Sequence, residues 1–328
     1  MDGEHAMSRI ALASAVMGVL LLMPLDAVAQ QKYPNRAVRV LTPFAPGGGS
    51  DILARLIGPH ITEIFGQPIV VDNRPGGGGS LGATMAARAD PDGYTLIVVS
   101  GSYAANAVFH DLPFDSVTGI DPIILFGETG LLVAMHPSSP VKSMPELIAH
   151  LKTNPGKLNF GSAGTGGQGH LAGEYFQLLA NVKFAHVPYK GSGPVMNALL
   201  AGEVHSSFSS LVPSIPHVKA GRLRPLGITT PKRSRALPEV PAISETVPGF
   251  EVVHWYGLWG PKGIPADIIM QWNAAVGKIL RTAAMQKWFE SEGMEVAGGP
   301  PAQFYNRIKG DIEKWRRVVK EANIAIPR

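Results

Sequence analysis

Short β-rich runs that end in glycine- and serine-rich loops, each loop opening a helix, recur along this 328-residue chain. Few folds accept that grammar. Ala37-Val38-Arg39-Val40-Leu41-Thr42-Pro43-Phe44 alternates as a strand and runs into Ala45-Pro46-Gly47-Gly48-Gly49-Ser50-Asp51. Ile52, Leu53, Leu56 and Ile57 then share one helical face, with Ser50 or Asp51 as the expected cap. Pro59 falls inside that pattern and predicts a kinked or split helix. Pro68 to Asp72 reads as a second strand, and the glycines 76–79 follow it. Leu81 to Arg88 is helical, and Tyr94 to Val99 is a buried strand ended by Ser100-Gly101-Ser102. The order β-α-β-α-β predicts a parallel, doubly wound α/β sheet.

The same grammar returns downstream. Leu158-Asn159-Phe160 leads into Gly161-Ser162-Ala163-Gly164-Thr165-Gly166-Gly167 and a helix from Gln168 to Ala180. Lys183 to Val187 is a strand, Pro188 to Gly193 a turn and Pro194 to Leu200 a helix; Glu203 to Phe208 and Leu223 to Thr229 complete a second set. Between and after the two sets lie the apolar stretches Pro122 to Met135 and Val252 to Trp259. Two α/β lobes joined by two chain crossings account for this layout, with crossings near Phe126–Leu132 and Val253–Tyr256. Helices over Ala266 to Leu280, Ala283 to Glu290 and Pro301 to Ala322 would return to the first lobe.

Composition removes several function classes. The chain is 45% hydrophobic, which excludes wholesale disorder. It has no Cys, hence no disulfide framework, thiolate zinc site or thiol nucleophile. The net charge of +4 is not gathered onto a basic run, so no nucleic-acid partner is expected.

The first 29 residues read as an export signal. Arg9 precedes the apolar run Ile10 to Leu25, and Ala27-Val28-Ala29 supplies small residues for cleavage after Ala29. Met7 is an alternative start, since Asp2 and Glu4 are foreign to such an n-region. No Cys follows the run, so no lipid anchor is expected. Cleavage removes Arg9 against Asp2, Glu4 and Asp26, taking 29 basic and 25 acidic side chains to 28 and 22, a net charge of +6. The expected product is soluble and periplasmic.

Formal motif matches carry little chemistry here. Gly77-Gly78-Gly79-Ser80-Leu81-Gly82 and Gly164-Thr165-Gly166-Gly167-Gln168-Gly169 both match G-x-G-x-x-G, but neither following strand ends in the acid that a dinucleotide site needs. No cofactor is expected. Gly78-Gly79-Ser80-Leu81-Gly82 is a literal G-x-S-x-G, yet five residues separate it from its strand, so Ser80 is expected to cap a helix rather than act as a nucleophile. A periplasmic hydrolase using Ser80 is the rival reading. The ten His show no metal-binding spacing; single ones such as His170 and His217 are expected to be structural or surface residues, and no metal site is expected. Lys190, between Tyr189 and Gly191, is as well explained by a solvated surface as by an anion contact.

What remains is a physical theme. The loops Pro46–Asp51, Ser162–Gly167 and Gly191–Gly193 each precede a helix, where free N–H groups and the positive helix end attract anions. At the carboxyl ends of strands in two facing lobes, such loops would clamp a small carboxylate.

A family resemblance rests on the same stretches. Tyr33-Pro34, the run from Val40 to Asp51, Val71-Asp72-Asn73-Arg74-Pro75-Gly76 and Pro91-Asp92-Gly93-Tyr94-Thr95-Leu96 resemble the Bug proteins. These are the extracytoplasmic substrate-binding components of tripartite tricarboxylate transporters. Asn154 to Asn159, His170-Leu171-Ala172-Gly173-Glu174, His186 to Gly191 and Trp255-Tyr256-Gly257-Leu258 extend the resemblance over essentially the whole exported chain.

The resemblance implies a two-lobe periplasmic binding protein of type II, a Venus-flytrap with two hinge crossings. Lobe 1 would comprise residues 30–130 and 254–328, and lobe 2 residues 131–253. It implies a monomer without catalytic residues that captures a di- or tricarboxylate or an aromatic acid. The cargo would pass to membrane transporter subunits, or the partner would be a sensor kinase. By position, Phe44, Pro46, Gly47, Gly48 and Asp51 would contact the ligand from the first loop. Ser162, Ala163, Gly164 and Thr165 would do so from the second, with Ser100, Ser102 and Ser209 adding contacts. Many relatives carry Asp where this chain has Ser209 and Ser210, which argues against an amino-acid ligand. Gly49, the third glycine of the first loop, and Pro59 also depart from the family pattern.

Overall fold

The computed structural model describes residues 33–326. The export signal read over residues 1–29, with its cleavage site, lies outside them. The elements that position the cleft run in chain order from β1 (Val38–Thr42) and α1 (Gly49–Phe65) through β2 (Ile69–Asn73), α2 (Ser80–Ala87), β3 (Thr95–Ser100) and α3 (Ser102–Phe109). The long strand β4 (Ile120–Met135) is followed by α4 (Met144–Thr153), β5 (Asn159–Ser162), α5 (Gln168–Ala180), β6 (Ala185–Pro188) and α6 (Ser192–Leu200). Next come β7 (Ser206–Ser210), α7 (Leu211–Lys219), β8 (Arg224–Ile228) and β9 (Val253–Pro261). The chain closes with α8 (Ala266–Leu280), α9 (Ala283–Ser291), β10 (Glu295–Gly298) and α10 (Pro301–Glu321).

Within each lobe the βα grammar produces parallel pairing. β1 runs parallel to β2 and β3, and β5 runs parallel to β6 and β7. At the centre the sheet is mixed. β9 is antiparallel to both β3 and β4, while β8 and β10 are antiparallel to β4. The reason is the connectivity: β4 carries the chain out of the first lobe and β9 brings it back, so the two lie side by side in opposite directions. Residues 120–130 of β4 pair with β9, and residues 131–135 pair with β7 and β8.

Thr229 ties this junction together. Its N–H donates to Leu131 O (3.0 Å), its carbonyl accepts from Val252 N (2.8 Å), and its Oγ1 accepts from Leu131 N (2.8 Å) while donating to Val252 O (2.7 Å). Both crossings are therefore stitched to one side chain.

The final helices pack on the first lobe. In α10, Phe304, Ile308, Ile312, Trp315 and Val319 recur at helical spacing and are buried. Trp255 Nε1 donates to Asp311 Oδ2 at 2.6 Å, fastening α10 to β9; burial raises the pKa of that carboxyl.

Several local expectations change. α1 is continuous through Pro59, whose exposed face leaves the missing backbone bond to water. α3 went unpredicted because SYAANAVF is buried almost throughout and has no polar face to mark it. α7 was hidden by Pro213 and Pro216, and β10 by its four-residue length. α4 carries a legible start: Ser143 Oγ accepts from Glu146 N (3.3 Å), and Glu146 Oε2 accepts from Lys142 N (2.8 Å). The strand expected over Glu203–Phe208 lies two to three residues later, which places Ser209 and Ser210 inside it.

Candidate functional site

The first loop leaves β1 and turns into α1. Its cap is neither Ser50 nor Asp51. Gly48 holds the N-cap position in extended backbone without a side-chain bond. Asp51 instead braces the loop from behind: Oδ2 accepts from Gly47 N (3.0 Å), and Oδ1 accepts from Arg55 Nε (2.9 Å) and Asn73 Nδ2 (3.0 Å). Asn73 Nδ2 also donates to Thr42 Oγ1 (2.7 Å) and Phe44 O (3.0 Å). With Asp51 turned away, the first turn of α1 shows Ser50 to the cleft. The Ser50 hydroxyl is buried, at 2% residue exposure, and has no hydrogen-bond partner.

The second loop is held by imidazoles. His186 Nε2 lies 2.6 Å from Ser162 Oγ, and that oxygen also accepts from Gly164 N (3.2 Å). His170 Nδ1 accepts from Gly166 N at 3.2 Å, which assigns its ring proton to Nε2. The two rings stack at 4.1 Å and 25°. Burial pushes His170 down to about 4 and His186 down to about 3, so both are neutral at ordinary pH. From the first lobe, His110 Nε2 reaches Thr165 O at 3.2 Å.

The two sides of the cleft touch. Ala45 N donates to Lys190 O at 2.8 Å, and Gln168 N donates to Ser102 Oγ at 3.2 Å. Gly78 faces Gly164 and the Thr165 carbonyl so closely that a Cβ on either glycine would overlap the other loop. Gly76 to Gly79 all have positive φ, a path that glycine alone follows without strain. Ser80 then opens α2 behind Gly79 and does not cap it. No histidine or carboxylate is hydrogen-bonded to Ser80 Oγ among the described residues.

Between the loops lies a cavity of about 20 Å³, room for about one water. Of the residues singled out in the sequence, Phe44, Gly48, Ser100, Ser102 and Ala163 line it. Pro46, Gly47, Asp51, Ser162, Gly164, Thr165 and Ser209 do not. They shape the loops or, for Ser209, face the other side of β7, since residues alternate along a strand. Ser209 Oγ is buried without a partner.

Gly49, Ser50 and Ser192 also line it, inside the glycine loops singled out in the sequence; the walls that were not anticipated are Leu131, Gly169, Phe208, Ser210, His254 and Tyr256. Ser210 lies two residues beyond the strand read over Glu203–Phe208, so which way it faces follows from where β7 runs. Composition and spacing do not mark His254 or Tyr256; the β3–β9 pairing brings Tyr256 opposite Ser100, and the β4–β9 pairing sets His254 opposite Thr129. No Lys, Arg, Asp or Glu lines the cavity. Burial pushes His254 down to about 3, and its Nδ1 is bonded to Gln168 Oε1. The Tyr256 hydroxyl, its pKa raised by burial, bonds Ser210 Oγ at 2.5 Å. Among the described residues no group of His, Asp or Glu is arranged to hold a metal ion, and no helix is long and apolar enough to cross a membrane.

Comparison with known proteins gives consistent results. Residues 53–324 match the sequence model of the tripartite tricarboxylate transporter family receptor. Protein BugT of Bordetella pertussis is 32% identical over 313 residues, 94% of this chain and 96% of its own length. The Rhodopseudomonas palustris protein Rpa4515, solved with adipate, superposes with TM-score 0.86 at 35% identity, covering 89% of this chain and 99% of its own. MatC of the same organism, solved with bound malate, gives TM-score 0.84 at 32% identity over 88% of this chain and all of its own.

Proposed function

The chain belongs to the tripartite tricarboxylate transporter receptor family and has the two-lobe fold of periplasmic binding proteins, and from that premise we propose that it captures a small di- or tricarboxylate, or an aromatic acid, and delivers it to a membrane transporter. It works in the periplasm after cleavage at Ala29 and performs no chemistry on its cargo. The lobes divide as 30–130 with 254–328 and 131–253, and they close over the ligand.

One observation carries this reading: the unpartnered, buried Ser50 hydroxyl at the N-terminus of the 17-residue helix α1, in a wall of hydroxyls and backbone without a charged side chain. Buried polar groups are normally paired, and the partial positive charge of that helix end suits a carboxylate oxygen. Adipate and malate in the related structures are both carboxylates.

The about 20 Å³ cavity is too small for either molecule, so loading requires the lobes to part and reclose around it.

Calorimetry on protein purified from the periplasm, with its N-terminus read by mass spectrometry, tests the proposal. A linear diacid should bind about 10- to 150-fold tighter than its monoamide, the worth of one charge-assisted hydrogen bond of about 1.5–3 kcal/mol. Equal affinity for acid and amide, or turnover of a simple ester lost in Ser80→Ala, would refute it.

A further inference from the structure

We infer that Tyr256 is the specificity-determining residue of the cleft, its hydroxyl marking the end of the space a ligand chain may fill. This rests on the proposed carboxylate capture and adds to it the length of the ligand.

Three observations converge on that hydroxyl. It projects from β9 toward the first turn of α1, and a Cβ at position 49 would overlap it, so Gly49 is what admits it. It crosses to the second lobe to bond Ser210 Oγ, at the point where β7 hands over to α7. Its ring is buried, edge-on to His254 at 4.8 Å and 90°. Gly49 thus has a physical explanation. The glycine makes room for a tyrosine rather than for the ligand.

The other large side chains around it are fixed on more than one side. Phe208 is wedged against Phe160 and Phe176, His254 is bonded to Gln168, and the loops are closely packed backbone. Tyr256 is held at its tip by a single hydroxyl. In the closed cleft it is the group that a longer ligand meets. Because neither Tyr256 nor Ser210 carries charge, their contact reads size and hydrogen bonding at the distal end of the ligand.

The test is calorimetry with linear α,ω-diacids of increasing length on four proteins: wild type, Tyr256→Ala, Gly49→Ala and the double variant. Wild type should lose affinity as the chain lengthens. Tyr256→Ala should reverse that trend, gaining about fourfold for each methylene the vacated volume accepts. Gly49→Ala should shift the length profile in the same direction by displacing the ring, because position 49 sits in ordinary helical backbone that accepts Ala. In the double variant the second change should add little, as coupled neighbours behave. Thermal melts confirm that each variant is folded.

An unchanged length profile in folded Tyr256→Ala overturns the inference and leaves carboxylate capture standing. Absence of diacid binding in all four proteins overturns the inference as well, and carboxylate capture falls with it when tricarboxylates and aromatic acids also fail to bind the wild type.

Discussion

Phe44–Asp51 hangs from a buried carboxylate, whereas Ser162–Gly167 hangs from imidazoles that burial keeps uncharged. In the first loop, Asp51 gathers Gly47 N, Arg55 and Asn73, and Asn73 in turn holds Thr42 and Phe44. In the second, His186 and His170 hold Ser162 and Gly166, and His110 reaches across to Thr165. Apart from Phe44, both loops present backbone and small side chains to the same cavity. A binding loop of glycine and serine has no rigidity of its own, so each lobe supplies an external brace. The difference in brace means the two halves of one site respond differently to mutation and to pH.

The largest expected effect comes from jamming the seam where the loops meet. Gly164 has φ +136, and a side chain there would drive into the Gly78 backbone. Gly164→Leu should cost at least ~1000-fold in affinity, about 4 kcal/mol. Small-angle scattering should then show a radius of gyration that no longer shrinks when saturating ligand is added. Normal closure in that variant would mean that the loops do not meet as described.

A smaller effect separates the braces by pH. An imidazole with a lower pKa in the folded state than in the unfolded one stabilises the fold above the unfolded value, and that contribution drains away as pH falls. For His170 and His186 the decline runs from 6.5 down to about 4 and about 3. Urea titrations should therefore show wild-type stability dropping over that window, and His186→Gln should flatten part of the drop. Asp51→Asn should lower stability at neutral pH instead, by about 2 kcal/mol, because it weakens a charge-assisted network. A full wild-type slope retained in His186→Gln would show that other groups carry the acid sensitivity.

The smallest effect concerns Lys190, whose exposed side chain lies beside the cleft while its carbonyl receives Ala45 N. Lys190→Ala should change stability by less than about 0.5 kcal/mol and leave ligand affinity unaltered. A large loss of affinity would place a cationic clamp where the backbone account has none.

Much of the architecture is legible in the residues. The strand–loop–helix rhythm locates β1 to β3 and β5 to β7, and α10 is readable from its spacing of Phe304, Ile308, Trp315 and Val319. Elements without contrast are not: α3 is buried on nearly every side, and α7 carries two prolines. The site divides in the same way. Phe44, Gly48, Ser100, Ser102 and Ala163 lie in or beside loops whose composition marks them, and they line the cavity. Asp51 and Ser162, equally marked, turn away and hold the loops in shape.

The sequence by itself determined where the chain turns, which loops open helices and which family the protein joins, because backbone freedom and periodicity are local properties written in Gly, Pro and the apolar pattern. Only the tertiary structure decided that Tyr256 fills the space left by Gly49, that Ser210 rather than Ser209 faces the cavity, and that Thr229 stitches both crossings. Those facts depend on strand register and on which lobe faces which, and the residues involved stand 207, 1 and up to 98 positions apart along the chain.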